Sequence, residues 1–357
     1  MWGACGLYNT LCALCYAELG ASIPQSGGEY VYIKRAFGDY PAFLCLWINF
    51  VLICPVGVAA LSLIASLYIL QPIFPDCDVP PLAERFIAVV IVCFWAYSGW
   101  SYLNFLTEEL VEPNKNLPRA IMISMVTVIC VYLVANIAYL GVLSPQLMTQ
   151  STAVAVTFAE QTMGVMQWLM PILIAISVMG TMNGTILSMS RLFFIGAQNN
   201  HMPSFMSMIQ FSYLTPATSL LVILSLVLCF QSSGDIWYLI EMEGFGFATV
   251  LSMVFAGQVY LRYKEPDLHR PIKVPIGLPA VLCLVSVAIV GLTFYQKPSE
   301  SLTALMILAV GTVLYIMGNR WKHKPKPIQS KINSLNLFLQ KLFLVVPQDN
   351  PDDLDWE

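Results

Sequence analysis

Residues 94–110, FWAYSGWSYLNFLTEEL, place hydrogen-bonding side chains inside an apolar region that is long enough to cross a membrane. Ser98 and Gly99 lie between Trp95 and Trp100, and the apolar FIAVVIVC precedes them. A segment that only anchors a protein needs no more than Leu, Ile and Val. Irregular backbone in a membrane is stable where protein or a water-filled cavity satisfies its N–H and C=O groups. The stretch is therefore typical of a helix that is interrupted to bind something.

Three further apolar segments contain helix-breaking or polar residues. Pro55 and Gly57 lie in one, MGTMNGT at 179–185 in another, and EMEGFGF at 241–247 in a third. Secondary transporters interrupt their helices near the bilayer midplane, where free N–H groups face a carboxylate and free carbonyl groups face a cation. Glycine and proline in membrane helices also serve close packing. The pattern favours a midplane binding site, with packing as the alternative at each position.

Two polar features of these segments allow more than one interpretation. Asn183-Gly184-Thr185 matches a glycosylation sequon, but its place inside an apolar segment makes Asn183 a candidate site residue instead. Glu241 and Glu243 lie near the end of their segment. A charged group deep in a membrane is costly and usually functional. These two carboxylates are therefore either solvated residues at an entrance or part of the site.

The composition indicates whether this chain folds in water or in a lipid bilayer. Of its 357 residues, 58% are hydrophobic and 11% are charged, and the mean hydropathy is +0.72. Soluble domains carry about 25% charged residues, and the apolar runs here approach or exceed the ~20 residues that cross a bilayer. The sequence predicts an all-α polytopic membrane protein, with too little polar–apolar alternation for a transmembrane barrel. No basic patch is interleaved with aromatic residues, which argues against nucleic acid as a partner.

Hydropathy predicts about nine membrane spans. They are 2–19, 42–70, 86–106, 120–143, 168–190, 216–230, 236–261, 275–295 and 302–318. Lys and Arg are enriched in the cytoplasmic loops of membrane proteins. With the loop after the first span inside, fifteen of the 17 basic residues are cytoplasmic, and only Arg85 and Lys297 lie outside. We therefore expect a transmembrane domain over 1–318 and a cytoplasmic tail over 319–357.

The cysteines and histidines offer little catalytic chemistry. Nine of the ten cysteines fall within predicted spans, where a thiol packs as a small apolar group. Cys12 and Cys15 form a C-x-x-C pair, but no second pair and no nearby histidine completes a metal site. The three histidines lie in loops, so no base accompanies a nucleophile at membrane depth. We expect no enzyme activity, no metal and no cofactor, and no phosphate-binding glycine loop indicates an ATP-driven pump.

Cys77 differs from the other cysteines because it is predicted to lie outside the membrane. It belongs to QPIFPDCDVPPL, a loop on the oxidising side, where it has no partner in the same chain. A single cysteine in that compartment indicates a bridge to another chain, and the alternative is a free thiol.

Five stretches of the chain resemble the light chains of the heteromeric amino acid transporters. They are ALCYAELGASIPQSGGEYVYIKRAFG, AYSGWSYLNFLTEELVEPNKNLPRAI, AVAVTFAEQTMG, SRLFFIGAQNNHMPSFMSMI and YLRYKEPDLHRPIKVP, in this order along nearly the whole chain. The last two, with the Cys77 loop, look closest to the cystine/glutamate exchanger subgroup. The resemblance implies two inverted five-helix repeats plus two helices, sodium-independent amino acid exchange, and a location in the plasma membrane.

The resemblance also implies roles for individual residues. Trp95 would be the aromatic lid over a bound amino acid, and Ser98, Gly99 and Trp100 would form the unwound bend of the sixth helix. Cys77 would form a disulfide with a single-pass heavy-chain glycoprotein. The residues of 94–110 predict on their own a helix that is interrupted at a binding site, and this prediction agrees with the roles that the resemblance implies.

Two positions bear on the substrate. The family's dibasic transporters tend to carry Asp at the position of Ser98, which argues against cationic substrates. The cystine/glutamate exchanger carries Arg at the position of Phe247, a fixed charge that pairs with a substrate carboxylate. Neutral amino acids or cystine remain open, and Phe247 and Asn183 are predicted to contact the substrate.

The chain departs from the family pattern in two places. The resemblance implies that it opens in the family's second helix, and that between Val92 and Cys93 it passes from the start of the fourth helix to the middle of the sixth. In complete relatives the first broken helix supplies donors for the substrate carboxylate, and losing such donors weakens binding. We expect either an exchanger light chain or a truncated, non-transporting subunit that at most binds a heavy chain.

Overall fold

The computed structural model of the chain describes residues 2–70, 113–147, 154–210, 215–232, 236–296, 298–320 and 326–347, apart from residues 24, 26 and 145. The described residues are almost entirely helical. The predicted span at 86–106 lies outside them.

The elements follow in this order along the chain. The helices are α1 (Trp2–Ser22), α2 (Gly28–Phe37), α3 (Asp39–Ile48), α4 (Cys54–Leu70), α5 (Pro113–Val142), α6 (Val154–Thr162), α7 (Leu169–Gln198), α8 (Ala217–Gln231), α9 (Ile236–Lys264), α10 (Gly277–Gln296), α11 (Pro298–Tyr315) and α12 (Lys326–Phe343). A π-helical turn at Asn49–Ile53 joins α3 to α4, and another at Ile316–Arg320 follows α11. Single 3-10 turns occupy Gly164–Met166 and Ser204–Ser207. Strand β1 (Met208–Gln210) pairs with β2 (Val345–Pro347) in antiparallel orientation.

Six helical segments among the described residues are long and apolar enough to cross a membrane. They are Asp39–Tyr68, Met122–Val142, Gly164–Gln198, Ile236–Lys264, Gly277–Gln296 and Ser301–Gly318. They coincide with six of the predicted spans, and α8 is a shorter apolar helix at the predicted span 216–230. The predicted first span, 2–19, is the 21-residue helix α1. The prediction of a polytopic helical membrane protein is therefore confirmed.

Two predicted helix breaks are wrong. α7 runs without interruption through 179–185, and α9 does so through 241–247. In α7 the hydroxyl groups of Thr181 and Thr185 donate to the carbonyl oxygens four residues earlier, so they bond within the helix. An isolated glycine costs a helix interior only about 1 kcal/mol relative to alanine. Long packed helices tolerate that cost, and their backbone stays regular.

Gly246 lies in α9 at a point of close packing against the Ile48–Ile53 region. A Cβ atom at this position would lie 3.3 Å from the Ile48 side chain and 3.4 Å from those of Leu52 and Ile53. Small residues let membrane helices approach one another closely. The packing interpretation therefore holds for Gly246.

The predicted break at Pro55 and Gly57 is also wrong, because α4 continues from Cys54 to Leu70. The irregularity lies just before it, in the π-helical turn at Asn49–Ile53. Proline has no N–H to donate within a helix, and a π-helical turn is one way in which a long helix accommodates a local fault in its hydrogen bonding. The helical path is therefore irregular just before Pro55 and regular through Gly57.

Gly57 brings α4 close to α9 at Glu243. A Cβ atom at Gly57 would lie 2.6 Å from Oε1 of Glu243. The Glu243 side chain is half-buried between the two helices. This carboxyl group therefore packs against α4 on one side.

Four segments meet on one side of the bundle, which we call the basic face: residues 23–38, 199–210, 265–276 and 326–347. Arg35 pairs with Glu265, and the Asn336 amide donates to the Ser204 hydroxyl at 3.1 Å. The pairing of β1 with β2 adds a backbone connection between the tail and the segment after α7. The charge distribution predicts one side of the membrane for all four segments, and their contacts agree with a common side.

Candidate functional site

A cavity of about 340 Å³ lies between α1, α9 and α10, with the start of α2 at its edge. Its lining residues are Tyr8, Asn9, Cys12, Ala13, Tyr16, Glu29, Gly244, Phe247, Ala248, Leu251, Ser286 and Ile289. Ala248 and Ser286 are near the middle of α9 and α10, which places the cavity near the middle of these two spans. Substrates of many secondary transporters bind at this depth.

The helical repeat places the lining residues on one face of each helix. In α1, Tyr8, Cys12 and Tyr16 follow one another at intervals of four and project to the same side. In α9 the set follows the i, i+3, i+4, i+7 pattern of a helix face: Gly244, Phe247, Ala248 and Leu251. A Cβ atom at Gly244 would have no neighbour within 4 Å, so the small residue leaves open space.

Glu29 carries the one charged side chain among these lining residues. The Tyr16 hydroxyl donates to Oε1 of Glu29 at 2.9 Å. Gly27 and Gly28 have φ values of 116° and 48°, which favour glycine, and they turn the chain back after α1. α2 therefore starts beside Tyr16, in the last third of α1, and brings the half-buried Glu29 to the edge of the cavity nearest the basic face.

Two hydroxyl groups belong to residues of the cavity wall, Tyr8 and Ser286. Both hydroxyl oxygens are buried, and the two side chains lie close enough to interact with each other. Glu29 is therefore the polar group of this lining that is best suited to bind a charged ligand.

The structure brings one predicted site residue, Phe247, to this cavity, where 48% of its surface is exposed. Asn183 is 6% exposed in α7 and is not part of the lining. The other predicted site residues lie outside the described residues: Cys77, Trp95, Ser98, Gly99 and Trp100.

Sequence reasoning missed Glu29 and Tyr16. The signal that could have found them is the SGGEY stretch, in which two glycines precede an acidic residue after an apolar helix. Such a pair permits a tight reversal. The partner of Glu29 lies 13 residues earlier, in a helix that hydropathy describes only as apolar.

Toward the basic face, a buried ion pair joins α1 to α9. Glu18 is 2% exposed, and Nη2 of Arg262 donates to its Oε2 at 2.6 Å. The backbone N–H of Val274 donates to the same oxygen at 2.7 Å, and Nε of Arg270 lies 3.8 Å from Oε1. A buried carboxylate is stable only when it is paired and hydrogen-bonded. The end of α9 and the segment after it supply these partners.

A second, more exposed set of contacts joins α2 to the end of α9. Arg35 donates to Oε2 of Glu265 from Nη2 at 2.7 Å and from Nε at 3.0 Å. This hydrogen bonding from Arg35 lowers the pKa of Glu265 below its ordinary value. Nζ of Lys264 donates to the carbonyl oxygens of Arg35 and Ala36 at 2.8 and 3.1 Å, at the end of α2 where a cation is favoured.

His201 joins the segment after α7 to α2. Its Nδ1 lies 2.7 Å from the Tyr30 hydroxyl, and its ring packs edge-on against Tyr30 and Phe43. Burial lowers the pKa of His201 below its ordinary value of 6.5. The imidazole is therefore neutral at neutral pH and positions α2. Lys34 adds a hydrogen bond to the Asn199 side chain.

Within the described part of the chain, no group of three or more His, Cys, Asp or Glu side chains is placed to hold a metal ion. Cys12 and Cys15 are both free thiols and are buried in α1. Cys15 packs in a small apolar cluster with Val274 and Leu282. This agrees with the packing interpretation of the C-x-x-C pair.

Comparisons with known proteins identify relatives along nearly the whole chain. The family model described as amino acid permease matches residues 1–94 and 78–318. Large neutral amino acids transporter small subunit 2 of Mus musculus is 37% identical over 98% of this chain and 79% of that protein. Asc-type amino acid transporter 1 of Mus musculus is 32% identical over 99% of this chain and 80% of that protein. The cystine/glutamate transporter of Homo sapiens is 31% identical over 98% of this chain and 83% of that protein.

The identities bear on the predicted subgroup. Identity to the neutral amino acid transporter subunit, 37%, is higher than identity to the cystine/glutamate transporter, 31%. The comparisons therefore do not favour the cystine/glutamate subgroup over the neutral one.

Proposed function

This chain belongs to the amino acid permease family and, within it, to the light chains of the heteromeric amino acid transporters, and we propose that it exchanges amino acids through the cavity between α1, α9 and α10. The observation that carries this proposal is the mid-span position of a cavity whose wall holds a carboxylate. Alternating access needs a substrate site at this depth. Transport is independent of sodium in this proposal.

The lining suggests how an amino acid is held. The substrate ammonium group pairs with Glu29, because a charge-assisted hydrogen bond to a carboxylate is stronger than a neutral one. Phe247, Leu251 and Ile289 receive an apolar side chain. The bend at Ser98–Trp100 would supply N–H donors for the substrate carboxylate, with Trp95 as the lid, as the family resemblance implies.

The same lining favours neutral substrates. No basic side chain occurs among the lining residues that the structure describes, so an anionic side chain would be buried without a partner. A cationic side chain would compete with the substrate ammonium group for Glu29. A neutral substrate side chain needs no buried counterion and does not compete for Glu29.

The test is uptake by the full chain, reconstituted with a heavy chain into proteoliposomes that are loaded with unlabelled amino acid. A radiolabelled panel includes neutral, cationic and anionic amino acids. We expect saturable uptake of neutral amino acids that internal substrate stimulates and that persists without sodium. Preferred uptake of an anionic or cationic amino acid would contradict the substrate assignment.

Two matched glycine variants connect transport to the cavity. Gly244→Leu places a side chain in the open space of the cavity, and we expect it to abolish uptake while the protein remains folded. Gly291→Leu adds the same side chain in α10 at another position with no neighbour within 4 Å, but outside the lining. Equal uptake by both variants would show that the cavity is not part of the transport pathway.

The proposed partner is a single-pass heavy-chain glycoprotein that is bound through a disulfide at Cys77, at the plasma membrane. The support is the predicted position of Cys77 on the oxidising side and the light-chain family of this protein. A reducible high-mass band from whole membranes is expected, and Cys77→Ser should remove it. Persistence of that band in the variant would assign the bridge elsewhere.

A second candidate function is a non-transporting membrane subunit that only occupies a heavy chain. The alignment to the murine neutral amino acid transporter subunit spans 421 positions, more than the 357 residues here. The two family matches also overlap at 78–94, which supports an internal gap near Val92. Complete absence of uptake across the panel, with the heavy chain bound, would favour this candidate. Saturable uptake of any amino acid would exclude it.

A further inference from the structure

The C-terminal helix α12 has two unlike faces. Asn336 lies on the face that packs toward the Ser204–Ser207 turn, where its amide donates to Ser204. Leu337, Phe338 and Leu342 are 55%, 59% and 56% exposed. Helical geometry places Phe338 and Leu342 on the face opposite Asn336, with Leu337 at its side. Exposed apolar residues that are adjacent on one helix face, rather than scattered singly, mark an interaction surface.

The strand that follows α12 fixes the direction of this apolar face. β2 pairs with β1, with Val345 opposite Gln210 and Val346 opposite Ile209. Val345 is buried, whereas Val346 is exposed like Leu342 before it. The pairing of β2 with β1 holds the end of α12, and the Asn336 hydrogen bond holds its middle. The exposed face therefore cannot rotate into the protein.

The chain length keeps α12 near the membrane. The last span, Ser301–Gly318, ends two residues before Arg320, and α12 begins at Lys326. Six residue steps reach at most roughly 21 Å when fully extended. The first turn of α12 therefore lies within about that distance of Arg320, two residues beyond the end of the span.

The charge of residues 319–347 has a single sign, and the five acidic residues of the tail all follow them, at 349–357. Residues 319–347 contain six Lys and Arg and no Asp or Glu. Lys341 is exposed within the apolar face, between Phe338 and Leu342 in sequence. Basic residues next to a membrane span attract anionic lipid headgroups. Apolar and basic residues on one helix face are typical of helices that lie in the interface plane.

We propose that α12 lies in the headgroup layer of the adjacent leaflet, with Phe338 and Leu342 inserted among acyl chains and Lys341 bound to anionic phospholipid. Charge complementarity selects this occupant, because a second copy of the same face would bring Lys341 against Lys341. The proposal does not rest on transport activity.

The test places a photoreactive benzoylphenylalanine at position 338 of the full chain in nanodiscs. One nanodisc contains phosphatidylcholine only, and the other also contains phosphatidylserine. We expect mass spectrometry to find lipid adducts, in higher yield with phosphatidylserine. The same probe at position 336 is the control, and it should cross-link within the protein because Asn336 contacts Ser204.

A charge-reversal pair tests the anionic preference. Lys341→Glu should reduce the lipid adduct at position 338 by roughly fivefold or more in phosphatidylserine nanodiscs, as expected for each basic residue near an anionic surface. Lys273→Glu makes the same charge change on another exposed segment of the basic face and should leave the yield unchanged. Adducts to protein only, no adduct, or equal yields in the two lipids would each overturn the proposal.

Discussion

α1 and α9 contact each other in two different ways along their length. At mid-span they stand apart around the cavity, where small residues such as Ala13, Gly244 and Ala248 leave space. Toward the basic face the same helices are joined by Glu18 and Arg262, which are buried and paired. In the cavity, the carboxyl group of Glu29 is the charged group that we propose binds a ligand. At the basic face, the charged groups of Glu18 and Arg262 pair with each other, so we interpret that end as a seal and the middle as the proposed site.

The largest expected effect comes from breaking the seal at Glu18. Glu18→Gln removes the charge but keeps the size, so Arg262 is left as a buried cation without a counterion. Breaking a buried pair in this way costs about 3–5 kcal/mol. We expect a large fall in surface abundance and in the apparent melting temperature of the detergent-solubilised protein.

A double variant separates charge from packing at the seal. Glu18→Leu combined with Arg262→Met replaces the ion pair by apolar groups, which is often close to neutral for stability. Arg270 keeps other partners, since it also donates to the carbonyl oxygens of Leu261 and Glu265. The double variant should therefore melt higher than Glu18→Gln. A double variant as unstable as the single one would show that the cost is not the unpaired charge.

In the cavity, the largest expected effect is on substrate affinity. Glu29→Gln keeps an oxygen that accepts the Tyr16 hydrogen bond but removes the charge that pairs with a substrate ammonium group. Hydrogen bonds to charged groups contribute about 1.5–3 kcal/mol, which corresponds to roughly tenfold or more in affinity. We expect a weaker apparent affinity in uptake competition with little change in melting temperature. Unchanged affinity with lower stability would make Glu29 a structural residue only.

Hydropathy and charge predicted the spans of this fold well, because insertion into a membrane depends on those two properties. The six apolar helices lie where the sequence placed them. The predicted breaks in α4, α7 and α9 failed because a glycine has the same appearance in a sequence whether it unwinds a helix or admits a neighbour. Gly246 admits Ile48 and its neighbours, which only the packed structure reveals.

The candidate site was less predictable. Phe247 was placed through a family resemblance, and it lines the cavity. Glu18 and Arg262 are 244 residues apart, so no local pattern announces their pair. The position of Glu29 depends on the reversal at Gly27 and Gly28, which turns a residue of a predicted loop back against α1, at the edge of the cavity. Local periodicity identifies elements, whereas these contacts depend on how distant elements meet.

Substituting the glycines on the two sides of α9 should give a stability difference of intermediate size. Gly246 faces packed side chains at 3.3–3.4 Å, whereas Gly244 faces open space two residues away. Gly246→Leu should cost about 1–3 kcal/mol through overpacking. Gly244→Leu should be neutral or slightly stabilising, because leucine has the better helix propensity. Melting temperatures of the two purified variants check this, and an equal loss in both would remove the distinction between packed and open sides.

The smallest expected effect is at the exposed counterpart of the seal, the pair of Arg35 with Glu265. Both side chains are about one-third exposed, so solvent screening limits the pair to less than about 1 kcal/mol. The pKa of Glu265 is lowered in the folded protein, so its stabilisation is present above the ordinary value of 4.5 and is lost as pH falls through the lowered one. Glu265→Gln should therefore melt slightly below the parent at pH 7, and the two curves should converge as the pH falls below about 4.5. Added salt should shrink the difference at pH 7, because screening acts on exposed charges. The prediction is wrong if Glu265→Gln lowers the melting temperature at pH 7 as much as Glu18→Gln does, or if salt leaves the difference unchanged. Either result would mean that this pair is part of the buried seal.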